Sequence, residues 1–443
     1  MDDRDSSSPP CPTTRDDRLR CGERATPPTT PEPLAPSDRL IALDALRGLA
    51  VLGILLLNVR SFSMPAMAYM TPDLAPDLLR VTPLDRGVFV AINVLGWGKF
   101  MATFAMLFGV GIVLSTRRLD QAGRSPAVLY FRRTSVLAMV GLLHLFLLWY
   151  GDILFAYAVV GAIAYTCRNL PTKWLAVLAF GGYLMTIFLT LALTGLTQLG
   201  LSSGDVTESD FLGSAATVQA EINAYRGSYL DTLNFRSSTA LVNLIFMLIV
   251  VGGQILGLML TGMLLWRSRF FDGAWPIRRY WLLGLPTWLI SVGLVLALNL
   301  YVSQLGWPAI WVVGLMPAIY GVLVPLQAVG MVALVIPALA RWQRSSAVRA
   351  LAATGRMAFT NYLQQTVLAT TFFYGYGLGY FATVSYAEQL GFVAGVWIFQ
   401  VAFSVVWLSR FRFGPLEWIW RGLTYGELPP LRKSPAAIPS GYD

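Results

Sequence analysis

The sequence predicts an all-α, polytopic membrane protein with about ten transmembrane helices and both termini in the cytoplasm. Charged residues make up only 13% of the 443 residues, and the mean hydropathy is +0.59. A soluble domain usually carries about 25% charged residues. Apolar residues make up 56% of the chain, and many of them fall in runs long enough to cross a bilayer. Arginines crowd every second connection between these runs, as the positive-inside rule requires.

The chain divides into one membrane domain and two tails. Residues 1–38 carry eight prolines and mixed charges, so this stretch cannot bury enough apolar surface to fold and is predicted to be a disordered cytoplasmic tail. Residues 39–426 form the single membrane domain, with an acidic external loop at 197–239 and an interfacial segment at 411–426. Residues 427–443 are predicted to be a second disordered tail.

Ten segments qualify as transmembrane helices by apolar length. They are 41–60, 98–116, 134–150, 153–168, 174–196, 240–266, 280–301, 308–340, 357–376 and 391–409. The eighth is unusually long and contains Pro317, Pro325 and Pro337, which indicates either a kinked helix or a re-entrant piece.

The basic residues set the orientation and explain the net charge of +9. Only three of the 33 basic residues are lysines, and the arginines lie mostly at the ends of apolar runs. This pattern indicates a multi-pass protein of the plasma (inner) membrane and argues against a nucleic-acid partner. The three cysteines show neither a disulfide pattern nor zinc-ligand spacing, so no metal site is expected.

The first helix carries polar residues that are costly inside a bilayer. Asp44 and Arg47 lie at its cytoplasmic end, and Asn58 follows Arg47 after eleven positions. Eleven residues advance a helix by about 1100°, close to three turns, so Arg47 and Asn58 share a face about 16 Å apart.

The third helix repeats this spacing with Arg133 and His144, which is the one histidine of the chain. Each helix thus presents an arginine at one end and a polar side chain further along the same face. A slender molecule with an anionic head fits between such faces, and an acyl-coenzyme A has this shape. His144 is the best candidate for a general base, because its unperturbed pKa suits that role near neutral pH. Asp152 could orient the imidazole, but on one continuous helix the two would point about 80° apart. Their pairing therefore depends on the turn.

A second polar group opens the ninth helix. Asn361, Gln364 and Gln365 lie there, while Glu417 and Arg421 form an i,i+4 pair after the last span. These five residues are candidates for a substrate site, and a membrane-surface anchoring helix explains the segment after the last span equally well. Plain alternatives also remain for the first two helices: arginines that follow the positive-inside rule, a packing histidine, and an interfacial Asp44–Arg47 ion pair.

Several segments resemble YeiB-like membrane proteins of a domain-of-unknown-function family. They are Leu43-Asp44-Ala45-Leu46-Arg47-Gly48 through Asn58, Gly98-Lys99-Phe100 with Leu107-Phe108-Gly109, Gly141 through His144 to Leu154, Thr360-Asn361-Tyr362-Leu363-Gln364-Gln365, and Gly414-Pro415-Leu416-Glu417-Trp418 with Arg421. Together they extend over nearly the whole predicted membrane domain.

That family resembles the transmembrane acyltransferase superfamily, which includes acyltransferase family 3 and heparan-α-glucosaminide N-acetyltransferase. The resemblance implies acyl transfer from cytoplasmic acyl-CoA to an acceptor across the membrane. In acyltransferase family 3 a histidine follows the arginine of the first helix after a ten-residue gap. Here Asn58 takes that place, as in the heparan enzyme, so we assign the base to His144.

The sequence thus favours a membrane acyltransferase with acyl-CoA (acetyl-CoA) as co-substrate and no tightly bound cofactor. Asp44, Arg47, Lys99 and Arg133 are expected to bind the donor, while Asn58, His144 and Asp152 are expected to act in catalysis. The expected partners are the lipid bilayer and an envelope glycan, lipid or small-molecule acceptor; a homo-oligomer is compatible. Two alternatives stay open: an exporter of a small amphipathic metabolite, with Gln254, Asn299, Gln327 and Gln400 along its path, and a non-catalytic scaffold.

Overall fold

The computed structural model describes residues 36–79, 81–121 and 125–433. Apart from one isolated β-bridge between Phe411 and Arg432, these residues form helices and their connections. The polytopic all-helical fold class is therefore confirmed. Eight helical stretches in the described part of the chain are long and apolar enough to cross a membrane.

Among the described residues there are fifteen helices of at least eleven residues, and the short helices Pro76–Leu79 and Glu208–Leu212 lie in the connections between them. The fifteen are numbered in chain order. They are α1 Pro36–Ser63, α2 Pro83–Gly96, α3 Lys99–Gln121, α4 Pro126–Leu143, α5 Leu154–Cys167, α6 Thr172–Ser203, α7 Ala215–Arg226, α8 Tyr229–Ile249, α9 Gly252–Arg267, α10 Ile277–Gln304, α11 Met316–Arg341, α12 Ser346–Arg356, α13 Ala358–Phe373, α14 Tyr386–Arg410 and α15 Pro415–Tyr425. Short π-helical segments, His144–Leu148 and Ile310–Leu315, extend α4 and precede α11.

Every predicted span overlaps helical structure, but one span is interrupted and several boundaries differ. The predicted span 240–266 is interrupted between α8 and α9. There the backbone N–H of Gln254, in the first turn of α9, donates to the Thr186 hydroxyl at 2.8 Å and not to its own helix. The predicted spans 153–168 and 357–376 are the short helices α5 and α13. The long eighth segment is one continuous helical stretch, Ile310–Arg341.

The segment before α3 is helical, which the hydropathy pattern did not indicate. Helix α2 ends at Gly96, and Gly98 has φ +64°, a conformation that suits glycine. The region predicted as an external loop, 197–239, is also mostly helical. It contains the end of α6, all of α7 and the start of α8.

The predicted N-terminal tail lies outside the described residues up to residue 35, and α1 begins at Pro36. The predicted C-terminal tail lies outside them from residue 434 onward. The described part of this predicted tail, 427–433, runs beside the end of α14, where the Arg412 N–H donates to the Leu431 carbonyl at 2.9 Å.

Glycines let the central helices approach closely. A Cβ at Gly48 of α1 or Gly355 of α12 would overlap the backbone of the facing helix, and the same holds for Gly109 and Gly262 between α3 and α9. Small residues at such crossings are the usual means of packing helices in a membrane, where lipid removes the hydrophobic driving force. The contact between α1 and α12 places the N-terminal half of α1 beside the start of α13.

Candidate functional site

A cavity of about 550 Å³ opens at the end of the bundle that the sequence predicts to be cytoplasmic. Five arginines from α1, α4, α12, the α14–α15 connection and α15 lie along its wall. They are Arg47, Arg133, Arg356, Arg412 and Arg421. Two carboxylates, Asp44 and Glu417, lie there as well. The mouth of the cavity therefore carries more positive than negative groups.

Both carboxylates are already engaged by the protein. Asp44 accepts a hydrogen bond from the Arg47 guanidinium at 2.7 Å, so the predicted ion pair is present. Glu417 accepts from the backbone N–H groups of Phe359 and Thr360, at 2.8 and 3.0 Å, and from the Thr360 hydroxyl. It thus caps the start of α13, where N–H groups have no partner within the helix.

Glu417 joins α15 to the start of α13. Burial raises the pKa of its carboxyl group, and the hydrogen bonds from Thr360 oppose that rise. On the same helix, the Trp420 ring lies 4.3 Å from the Arg133 guanidinium, and its indole N–H donates to the Arg133 carbonyl at 3.0 Å. The amphipathic segment that the sequence placed at the membrane surface thus forms one wall of the cavity.

At its inner end the cavity is lined by apolar and aromatic side chains. They include Ile54, Leu137, Ile153, Tyr157 and Tyr362. Tyr362 is 4% exposed, and its ring centroid lies 5.5 Å from that of His144. His144 itself does not line the cavity. Tyr362 therefore separates the cavity from the histidine.

His144 and Asp152 form a buried pair directly behind Tyr362. The Asp152 carboxylate lies 2.7 Å from His144 Nδ1, and the side chains are 1% and 0% exposed. The second Asp152 oxygen accepts from the Phe155 N–H at 2.9 Å. On the other side of the ring, His144 Nε2 lies 2.9 Å from the hydroxyl of Thr366 on α13. Two successive hydrogen bonds thus connect three buried polar side chains, Asp152, His144 and Thr366.

The pairing arises because the helix of His144 does not continue. The Trp149 N–H donates to the His144 carbonyl, a π-helical bond across five residues, and Trp149 then becomes extended. The chain turns at Gly151, where a Cβ would overlap the Trp149 ring. This turn brings Asp152 back beside His144, which a regular helix could not do. π-Helical segments occur often at functional sites.

Three groups of predicted site residues lie elsewhere. Lys99 is buried at the start of α3 and donates to the Val94 carbonyl at 2.6 Å, so it caps α2 and does not line the cavity. Asn58 is half-buried one turn beyond Ile54 and likewise does not line it. The expected donor contact of Lys99 is therefore corrected: its ammonium group satisfies the end of a helix.

Asn361, Gln364 and Gln365 belong to a buried network that joins α13 to its neighbours. Asn361 donates to the Ser404 hydroxyl at 3.0 Å, and Gln365 donates to the Val51 carbonyl at 3.0 Å. Gln400 of α14 donates to the Asn361 carbonyl and to Gln364. The structure thus places these candidate substrate residues, and Gln400 of the predicted export path, in contacts between helices. Glu417 and Arg421, in contrast, do line the cavity.

Sequence reasoning missed Tyr362 and Thr366. The two lie four residues apart on α13 and so share a face. This spacing was readable as a polar stripe in an apolar helix. Their contact with His144, 222 positions from Thr366, could not be deduced from one sequence. Within the described residues, no group of three or more His, Cys, Asp or Glu side chains could hold a metal ion.

Comparisons with known proteins agree on one family. Residues 265–427 match the family model described as "Protein of unknown function (DUF418)". The chain is 34% identical over 387 residues to "Uncharacterized protein YeiB" of Escherichia coli (strain K12), covering 87% of this chain and 96% of that protein. It is 29% identical over 425 residues to "Uncharacterized protein YxaH" of Bacillus subtilis (strain 168), covering 91% and 98%. No solved structure matches the chain significantly.

Proposed function

The chain belongs to the YeiB-like family of DUF418 proteins, and on that premise we propose that it is a membrane acyltransferase. The donor is an acyl-CoA that enters from the cytoplasm. The acceptor is a hydroxyl or amine of an envelope glycan, a lipid or a small molecule at the outer face. The protein acts in the plasma (inner) membrane, with donor and acceptor on opposite sides.

The observation that carries this proposal is the course of the cavity. It begins among five arginines and ends at Tyr362, beside the buried His144–Asp152 pair. An acyl-CoA carries phosphates at one end and a thioester at the far end of a long, thin arm. Arginine binds phosphate through charge-assisted, often bidentate hydrogen bonds. The phosphates would therefore remain at the mouth while the thioester approaches the histidine.

The histidine has the geometry of a general base. In this mechanism Asp152 acts as a carboxylate, which can only accept hydrogen bonds, so the neutral His144 has its proton on Nδ1 and its lone pair on Nε2. An aspartate in this position fixes the tautomer and stabilises the imidazolium that forms during proton transfer. His144 would take the proton of the attacking group and return it to the leaving thiolate.

A thermal-shift titration with coenzyme A and acetyl-CoA tests donor binding in the purified, detergent-solubilised protein. A ligand at 100 times its Kd adds about 2.7 kcal/mol of stability. We expect a saturable rise in Tm for the wild type and at least about a tenfold weaker apparent affinity for Arg47→Ala and Arg133→Ala, since each loses a charge-assisted contact.

Arg278→Ala is the matched control, because Arg278 is exposed at the start of α10 and does not line the cavity. It should bind like the wild type. If millimolar coenzyme A gave no shift, or if Arg278→Ala weakened the shift as much as Arg47→Ala, the donor site would not be this cavity.

A further inference from the structure

The Thr366 hydroxyl contacts a side chain of another helix, whereas several buried threonines of this protein bond to their own helix. Thr190 and Thr354, for example, donate back to the carbonyl four residues earlier in their own helices. This is the usual arrangement for a threonine inside a helix. Thr366 is 1% exposed, and its hydroxyl pairs across helices with His144 Nε2 at 2.9 Å. The contact is therefore part of the histidine site and is not a local helix bond.

The direction of the Thr366–His144 hydrogen bond follows from the other side of the ring. Asp152 holds the proton of His144 on Nδ1, so Nε2 is an acceptor. The Thr366 hydroxyl must then donate to Nε2. A hydroxyl that donates to a histidine, which in turn donates to a buried carboxylate, is the arrangement that activates serine and threonine nucleophiles.

We propose that Thr366 is a nucleophile that carries the acyl group between donor and acceptor. The inference rests on the proposed function and adds a covalent step to it. Thr366 Oγ1 attacks the thioester carbonyl carbon while its proton passes to His144 Nε2. The carbon–sulfur bond breaks, the thiolate takes that proton, and coenzyme A leaves as the free thiol. An ester remains on Thr366 Oγ1.

The second half-reaction regenerates the protein. The acceptor hydroxyl or amine attacks the ester carbonyl and gives its proton to His144 Nε2. The bond to Thr366 Oγ1 breaks, and His144 returns the proton to that oxygen. The acyl group ends on the acceptor, and Thr366 is again a hydroxyl. No oxidant or further co-reactant is needed.

Tyr362 controls access to this site. It lies one turn before Thr366 on the same face of α13, and it lines the inner end of the cavity. Its hydroxyl lies near the Ile153 backbone yet makes no hydrogen bond of good geometry to the described residues. Rotation of this ring would extend the cavity to Thr366, and the uncommitted hydroxyl could then bind the thioester carbonyl oxygen.

A covalent relay suits a protein whose two substrates come from opposite sides of a membrane. The donor can leave toward the cytoplasm before the acceptor enters from outside. The two approaches to Thr366 then need not be open together, so the bilayer stays sealed during each cycle.

Isotope exchange tests the first half-reaction without any acceptor. Purified protein is incubated with acetyl-CoA and radiolabelled coenzyme A, and the label that enters acetyl-CoA is measured. We expect exchange by the wild type, a loss of at least a hundredfold in Thr366→Val, and partial retention in Thr366→Ser, which keeps the hydroxyl. Thr370→Val is the matched control, because Thr370 is buried one turn further along and donates to the Val367 carbonyl. It should exchange normally.

The acyl-enzyme itself is sought by acid quench and peptide mass spectrometry. With acetyl-CoA alone, one acetyl group should appear on the peptide containing Thr366 in the wild type and be absent in Thr366→Val. Each variant must retain the coenzyme A thermal shift, which shows that it is folded and binds the donor.

Two outcomes overturn the inference, and they are distinguishable. If the wild type binds acetyl-CoA but shows neither exchange nor adduct, or if Thr366→Val exchanges like the wild type, Thr366 is not the nucleophile and direct transfer to the acceptor remains. If the wild type binds no donor at all, the proposed function falls and the inference falls with it.

Discussion

The protein environment changes the acidity of a single carboxyl group in α7. Glu221 of α7 is half-buried, and its carboxylate accepts a hydrogen bond from the Ala66 N–H at 2.9 Å. Burial raises the pKa of this carboxyl group from 4.5 to about 7, although the hydrogen bond from Ala66 opposes the rise. The folded protein therefore holds a proton at Glu221 that the unfolded chain releases at lower pH.

This shift makes stability depend on pH. Because the folded pKa lies above the unfolded value, the contribution of Glu221 is full below about 4.5 and is lost as pH rises through about 7. Glu221→Gln keeps an oxygen that can accept from Ala66 but cannot ionise. We expect its Tm, relative to the wild type, to increase between about pH 5 and about pH 8.

The Tm is measured by thermal denaturation in detergent at both pH values. Glu208→Gln changes an exposed carboxylate between α6 and α7 and serves as the control for net charge. Parallel pH dependences in wild type and Glu221→Gln would contradict the assignment.

At the residue scale, the sequence identified both members of the buried pair and made their contact dependent on the turn between them, which the structure contains. His144 was identified because a lone histidine in an apolar helix can act as a base, and Asp152 because it follows a Gly-containing turn. Eleven-residue spacing put Arg47 and Arg133 at one end of a ligand path, and both residues line the cavity. The same spacing put Asn58 on that path, but Asn58 does not line the cavity, and Lys99 satisfies the end of α2 instead of a ligand. The position of Lys99 depends on the break between α2 and α3, and that of Asn58 depends on where the cavity ends. Both features result from the packing of helices and cannot be read from the spacing of residues.

At the scale of elements, α8 holds the turn that joins His144 to Asp152. The Arg236 guanidinium donates to the carbonyls of Leu147 and Leu148, and the Tyr229 hydroxyl donates to Leu147 as well. The Asn243 side chain donates to the Tyr150 carbonyl at 2.8 Å. The end of the π-helical segment would otherwise leave these carbonyls without partners. One helix thus fixes the geometry of a site on another.

Arg236→Gln tests whether the hydrogen bonds from α8 stabilise the turn. The truncated side chain leaves at least one buried carbonyl unsatisfied, so we expect a loss of about 1–3 kcal/mol in the free energy of unfolding. The coenzyme A exchange rate should fall as well, because His144 and Asp152 lose their alignment. The coenzyme A thermal shift should remain, since the phosphates bind at the other end of the cavity.

Arg226→Gln is the matched control, because Arg226 also donates to a backbone carbonyl, that of Phe381, yet does not contact the turn. Tm and exchange are measured for both variants. Equal Tm values and equal exchange rates in Arg236→Gln and Arg226→Gln would mean that the turn is stable without α8.

The elements themselves were largely readable, and their breaks were not. Long apolar runs dictate helices, and every predicted span contains one. At the interruption of 240–266, the Gln254 N–H in the first turn of α9 donates to the hydroxyl of Thr186 on a different helix. The helical content of 197–239 comes from the end of α6, from α7 and from the start of α8, and α7 is a short helix without a long apolar run. The Thr186 contact is distant in sequence, whereas Ser214 and Ser228 cap α7 and α8 locally.

At the scale of the whole molecule, the charged residues of the cavity lie apart from the buried His144–Asp152 pair. Arginines collect at one end, where the positive-inside rule places the cytoplasm. The buried pair lies deeper, behind an apolar wall and Tyr362. Such a molecule suits a reaction whose charged donor stays on one side while its acyl group moves inward. The identity of the acceptor depends on the outer surface, on which the sequence carries no motif.

The most direct test uses acetyl-CoA that is radiolabelled in its acetyl group and is added to inside-out membrane vesicles. These vesicles expose the arginine-lined mouth of the cavity and retain native envelope acceptors. Incorporation into non-protein material is compared between wild type and His144→Gln at equal amounts of protein. We expect incorporation by the wild type and a loss of about 10²–10⁴-fold in His144→Gln, with the coenzyme A thermal shift unchanged. Equal incorporation by the two proteins, or none by a wild type that binds the donor, would contradict acyl transfer at His144.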